Sequence, residues 1–173
     1  MALTRGKVAI VGIFLVALAA AAFAWWFQLG LRRYTQAFYG NTAGMRIARA
    51  PRVELLWIAK ENLAGDAEPL SIDGEPRYII AAQDVSKAPG LIHARAALLN
   101  DGAYLWQVTA TPAAEWKHAI RFGDSSGESV LLFNLDLRQV RRLDSARPAV
   151  LGEKLAGGLK TFFEEHRANE EPR

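Results

Sequence analysis

Three histidines, His93, His118 and His166, are the only imidazoles in a chain of 173 residues that has no cysteine. None of them stands in an HxxH, HxH or HExxH spacing, and without thiolates the sequence writes no zinc site, no iron-sulfur site and no disulfide. Phosphate-binding glycine loops, nucleophile elbows and paired carboxylates at helical spacing are missing as well. Gly152-Glu153-Lys154 lacks the glycines and the strand of a phosphate loop, and Ser125-Ser126 reads as a turn with no histidine placed beside it. No catalytic set, metal or cofactor is therefore expected. His93 falls opposite the apolar stripe of its helix, which makes it a solvated surface residue. His118 falls between Trp116 and Ile120 on the core face of a strand, where a neutral imidazole with one hydrogen-bonded partner is expected.

Arg95 breaks the pattern around it. Leu91, Ile92, Leu98 and Leu99 set the buried side of a helix over 89–100, and Arg95 lies three or four residues from each of them, on that same side. A guanidinium there has to snorkel or meet an acid, because burying it unpaired would cost several kcal/mol. Asp84 and Asp101, at the two ends of the helix, and Asp136 or Glu54 from the sheet are the candidate partners. The expectation is an arginine at least half buried against a carboxylate, with an anion-reading pocket as the sharper alternative.

The elements that position these residues follow from periodicity. Val53–Ala59 reads as a strand, and Leu70–Ile72 and Arg77–Ala81 flank Asp73-Gly74 as a hairpin. A short strand is expected at Tyr104, Trp106 and Val108. In the next hairpin Phe122 should oppose Ser129, Ile120 oppose Leu131, His118 oppose Phe133 and Trp116 oppose Leu135, leaving one face almost wholly apolar. A third strand near Leu137–Leu143 and a helix over 149–167, with Leu151, Leu155, Leu159, Phe162 and Phe163 as its stripe, complete the domain. Gly157-Gly158 within that helix suggests a close approach to the sheet. The fold class is α+β: an N-terminal transmembrane helix followed by a small antiparallel sheet packed against helices.

Charge is unevenly spread. Residues 1–52 carry seven basic side chains and no acid, which leaves 14 basic and 18 acidic groups in residues 53–173, a balance of −4. That balance argues against nucleic acid as a partner, because a phosphate-binding surface needs its positive charge on the folded domain. From Val8 to Leu31 no residue is charged. These 24 residues would make about 36 Å of helix, enough to span a ~30 Å hydrocarbon core. Trp25 and Trp26 near its end, with Arg32 and Arg33 beyond, suit the lipid surface. A cleavable signal peptide ending near Ala22-Phe23-Ala24 is the rival reading, but the apolar run continues past it. The chain thus divides into a tail and anchor (1–31), a basic juxtamembrane segment (32–52), read as a helix or two short ones broken at Gly40-Asn41, and a globular α+β domain (53–173).

The stretch Asp84–Trp106, with Trp116–Phe122 and Gly158–Glu165, resembles a group of uncharacterised, single-span, membrane-anchored bacterial proteins familiar from planctomycete-type genomes. Gly90, Leu91, His93, Arg95, Ala97, Leu98, Leu99 and Asp101 carry the likeness, and Leu105 departs from it where an acid often precedes the tryptophan. The resemblance implies an anchored compact domain and no particular reaction. The reading is a non-enzymatic accessory or protein-interaction domain held in the cell (inner) membrane, its C-terminal part extracytoplasmic. Its partners would be the bilayer and another membrane or envelope protein. A small-molecule or lipid-binding module, or an enzyme using Arg95 with His93 or His118, are the alternatives.

Overall fold

The computed structural model describes residues 5–30, 33–62, 68–111 and 115–167; within the first helix, side chains are described for residues 11–25. Helix α1 (Arg5–Gly30) has every described side chain exposed. Among the described residues no helix is long and apolar enough to cross a membrane. Trp25 is exposed, whereas Arg32 and the side chain of Trp26 lie outside the described residues.

Helix α2 (Arg33–Arg49) turns a corner at Gly40, whose φ of 71° suits a residue without Cβ. The expected break is therefore present. Thr35, Tyr39, Ala43 and Ile47 are buried, one residue in four, so a single stripe faces inward across both halves of the helix. Tyr39, Ala43 and Ile47 of this stripe join Val53, Leu55, Ile120 and Phe133 in one core. The globular unit begins at α2, not at Val53, and the segment expected to lie beside the membrane is part of the domain.

Among the described residues seven antiparallel strands form one sheet: β1 (Arg52–Ala59), β2 (Glu68–Ile72), β3 (Glu75–Asp84), β4 (Trp116–Asp124), β5 (Gly127–Asn134), β6 (Gln139–Arg142) and β7 (Ala149–Val150). Their order is β2-β3-β1-β4-β5-β6-β7. At the β2–β3 turn Asp73 and Gly74 both take positive φ, 55° and 81°, as a tight hairpin turn of matching twist requires. The β4–β5 hairpin pairs Phe122 with Ser129, Ile120 with Leu131 and His118 with Phe133, in the expected register. Trp116, however, pairs with Asn134 across a register shift. The shift turns Trp116 onto the opposite face, as the extra residue of a bulge does.

Both faces of the sheet are buried, against the expectation of one. Val53, Leu55, Ile120, Leu131 and Phe133 face the helices. Leu56, Ile58, Trp116, Ala119, Val130 and Leu132 face away and pack with Leu70, Ile72 and Ile79 from the β2–β3 hairpin. The sheet curls so that this hairpin closes over its own far side. Asp73 at the hairpin tip accepts two hydrogen bonds from the Arg141 guanidinium of β6, each 2.8 Å. Arg141 also lies over the Trp116 ring, 4.9 Å from its centre.

Helix α3 (Leu91–Leu98) and helix α4 (Glu153–Glu165) complete the helical side. The strand expected at Tyr104–Val108 is instead a 3-10 turn (Asp101–Ala103) followed by one isolated bridge, Tyr104 to Leu151. Ile92 is 80% exposed, so the buried edge of α3 runs through Leu91 and Leu98 and, contrary to expectation, leaves Ile92 outside it. Gly157 and Gly158 are exposed, and a Cβ on either would meet nothing within 4 Å. No close approach to the sheet explains them.

Candidate functional site

Among the described residues Arg95 meets no carboxylate. It is half-buried, and its guanidinium donates to the carbonyl oxygens of Ala48 at 3.1 Å and Ala50 at 2.6 Å. These are carbonyls left without helical partners where α2 ends before Pro51. A cation at a helix C-terminus also meets the favourable end of the helix dipole. Asp101 acts in the converse sense at the other end of α2, where its carboxylate accepts from the backbone amides of Tyr34, 2.9 Å, and Thr35, 2.7 Å. At the Gly40 corner, Arg142 donates to the Tyr39 carbonyl at 2.7 Å while pairing with Asp144. Arg46, near the end of α2, reaches Asp124 at 3.2 Å and the Glu128 carbonyl at 2.8 Å. Each end of α2 and its corner are thus held by side chains distant in sequence.

The other expected acids serve elsewhere. Asp84 accepts from the Ser86 amide at 2.8 Å, and hydrogen bonding from the Ser86 side chain first, and from this amide second, holds its carboxyl below the usual range. Glu54 is buried and pairs with Arg52 at 2.6 Å and Arg121 at 3.4 Å. Asp136 is an exposed turn residue. Behind α2, Tyr104 donates to the Leu98 carbonyl at 2.7 Å and therefore accepts from Tyr39, 2.6 Å away. Burial holds both phenols protonated by raising their pKa.

His118 lines a cleft of about 710 Å³ between α4 and the β5–β6 end of the sheet. Its ring lies 5.1 Å from that of Phe163, which in turn meets Trp57 edge-on at 5.9 Å. Burial lowers the imidazole pKa, and the charges of Arg167 and Lys117 push it the same way. The ring is accordingly neutral at pH 7. Nδ1 is buried and has no hydrogen-bond partner among the described residues, against the expectation of one. An orphaned acceptor is less costly than an orphaned N–H, which assigns the proton to Nε2. Asp136, Glu153 and Glu164 line the same cleft, yet none of them makes a hydrogen bond to the ring. The described lining contains no Ser, Thr, Cys or Tyr that the imidazole could activate.

His93 is exposed on α3 and lines a second hollow of about 730 Å³, a groove between α3 and α4. Ala94, Ala97, Gly158 and Phe162 form much of its wall. His118, His93 and Arg95 thus do not converge: the histidines line different hollows and Arg95 lines neither. Among the described residues no group of three His, Asp or Glu side chains could hold a metal ion.

One cluster escaped the sequence reading. Tyr34 stacks on Trp106 at 5.8 Å, Trp106 stacks on Tyr104 at 4.6 Å, and Phe38 meets Trp106 edge-on at 5.8 Å. The Trp106 indole N–H donates to the Asp101 carbonyl at 2.9 Å. Reading Trp106 as a core residue of a strand hides this cluster; the only signal for it in the sequence is an uncharged stretch after Asp101. Comparison with protein-family models, with curated proteins and with solved structures finds no match for this chain.

Proposed function

We propose that this chain is a membrane-tethered, non-enzymatic accessory or protein-interaction domain, held by α1 in the cell (inner) membrane with its C-terminal domain extracytoplasmic. Residues 11–25 of α1, whose side chains are described, are by themselves too short to cross a membrane; what carries the reading is that they stand exposed and belong to the longer uncharged run Val8–Leu31. Eight large apolar side chains, Val11, Ile13, Phe14, Leu15, Val16, Leu18, Phe23 and Trp25, stand exposed on a 26-residue helix. Removing eight such side chains from water is worth roughly 12–24 kcal/mol, a driving force that a hydrocarbon core would satisfy. The uncharged run Val8–Leu31 and the resemblance to anchored bacterial proteins support the same reading. The α3–α4 groove, lined by small residues, is the surface proposed for another membrane or envelope protein, and the acidic balance of residues 53–173 argues against nucleic acid.

The test is extraction. The full chain should sediment with membranes and stay there through an alkaline carbonate wash, leaving only with detergent, and a chain starting at Arg33 should not sediment. A full chain recovered in the carbonate supernatant would overturn the anchor. An introduced cysteine at Glu128, labelled from outside intact cells stripped of their outer membrane, should react if the domain is extracytoplasmic.

The His118 cleft favours a second reading, a small-molecule site, because an aromatic wall and an imidazole with an orphaned nitrogen face one hollow. A ligand seated there should shift the His118 ring resonances and leave those of His93 unmoved.

A further inference from the structure

After Asp101 the chain runs from Gly102 to Ala114 without a charged residue. A loop of that composition on a surface normally turns inward, and part of it does: Tyr104 is buried and Trp106 is half-buried between Tyr104 and Tyr34. Leu105 and Val108 do not. They are 47% and 52% exposed and close one turn, the Val108 amide donating to the Leu105 carbonyl at 3.0 Å, while Tyr34, stacked on Trp106 of that turn, is 58% exposed. Stacking of Trp106 on Tyr34 and its hydrogen bond to the Asp101 carbonyl hold this loop against the start of α2. Asp101 in turn commits its carboxylate to the amides of Tyr34 and Thr35. The acid beside the patch is therefore tied to backbone, and the exposed Arg33 stands next to Tyr34.

Position along the chain says what faces this patch. Tyr34 follows Gly30, the last residue of α1, by four residues. Four residues reach at most about 14 Å, whatever angle the chain takes. We infer that Tyr34, Leu105 and Val108 form a lipid-resting face, seated in the headgroup layer of the same bilayer that α1 enters. Trp106 serves behind them as the brace and Arg33 as the anionic-headgroup contact. Amphipathic aromatics, small apolar side chains and a basic residue at one level are what the interfacial layer selects. This inference rests on the reading of α1 as the anchor and adds that the domain lies down on the membrane, so that its α2 end is proximal.

The absence of native cysteine makes the test direct. Single cysteines placed by Leu105→Cys, Val108→Cys, Ile92→Cys, Leu135→Cys and Val16→Cys in the full chain are labelled with an environment-sensitive fluorophore. Each protein is then reconstituted in vesicles of phosphatidylcholine and phosphatidylglycerol carrying nitroxide lipids, either shallow or deep. Positions 105 and 108 should be quenched several-fold more by shallow nitroxides than 92 and 135, which are exposed apolar sites elsewhere on the domain, and 16 should be quenched by deep nitroxides. If 105 and 108 behave as 92 and 135 do while 16 is quenched, the lipid-resting face is refuted and the anchor stands. If 16 is not quenched, the anchor fails, and quenching at 105 and 108 alone would still support lipid contact by this face. A blue shift at 105 and 108 that grows with protein density but shows no nitroxide quenching marks a second copy of the chain as the occupant and overturns the inference.

Discussion

Replacing Arg95 with methionine measures what the guanidinium does for α2. Methionine keeps most of the apolar stem in place, so packing changes little and the polar terms decide. Two charge-assisted hydrogen bonds are lost, to Ala48 at 3.1 Å and Ala50 at 2.6 Å. The Ala48 bond is exposed, and water replaces it at little cost. Ala50 is buried, and a carbonyl stripped of its donor there costs about 1–3 kcal/mol. Loss of the cation from the end of α2 adds about 0.3–1 kcal/mol. Against this, the substitution relieves the buried Nε of Arg95, which has no partner. The balance is a loss of about 2 kcal/mol, or a factor near 30 in the folding equilibrium. Arg95→Lys, with the charge but no fork, should lose about half as much because its donors sit on a single nitrogen, which does not span the two carbonyls that two guanidinium nitrogens reach. Urea unfolding of the full chain in detergent micelles, followed by tryptophan fluorescence, reads both as shifts of midpoint at constant slope. A loss under about 0.5 kcal/mol for Arg95→Met would mean that the carbonyls are satisfied without it.

Three further outcomes follow from the same geometry. Gly157→Ala and Gly158→Ala should each raise stability by up to about 1 kcal/mol, seen as a higher Tm, because an added methyl group meets open space on a helix that glycine weakens. Tyr104→Phe should cost about 1 kcal/mol more than Tyr39→Phe in urea unfolding. The first leaves both the Tyr39 hydroxyl and the Leu98 carbonyl unpaired, while the second leaves the Tyr104–Leu98 bond intact. For His118 the folded-state pKa is depressed by burial, so the unfolded chain binds more protons as the pH falls below about 6.5. Stability from this group is complete above that pH and declines as the pH drops toward the folded pKa. His118→Gln should flatten the urea midpoint between pH 7 and 5, and an unchanged slope would show that the imidazole is as free in the folded state as in the unfolded one.

Local signals account for much of the sheet and little of the site. The β4–β5 register is legible because both strands alternate and a four-residue turn joins them, so only one pairing places Ile120, Leu131 and Phe133 together. The shift at Trp116 is not, since Lys117 suits either face of a strand. His118 lies on the face its strand position indicates, while the orphaned Nδ1 depends on Phe163, which arrives from a helix 45 residues later. Arg95 stands out in the sequence as anomalous, but side-chain patterns point only to carboxylates, and its partners are backbone carbonyls.

What the sequence determined alone was whatever depends on neighbours in the chain: the uncharged run Val8–Leu31, the corner at Gly40, the turn at Asp73-Gly74 and the helical stripe through Leu155, Leu159 and Phe162. Tertiary structure decided the rest. It placed α2 in the core, closed the β2–β3 hairpin over the far side of the sheet, and seated the Leu105–Val108 loop against Tyr34. The physical reason is shared by all three. Backbone carbonyls and amides are identical at every residue, so which of them lack a partner, and hence where Arg95, Asp101 and Arg142 must go, is set only when helix ends and corners meet the elements packed against them.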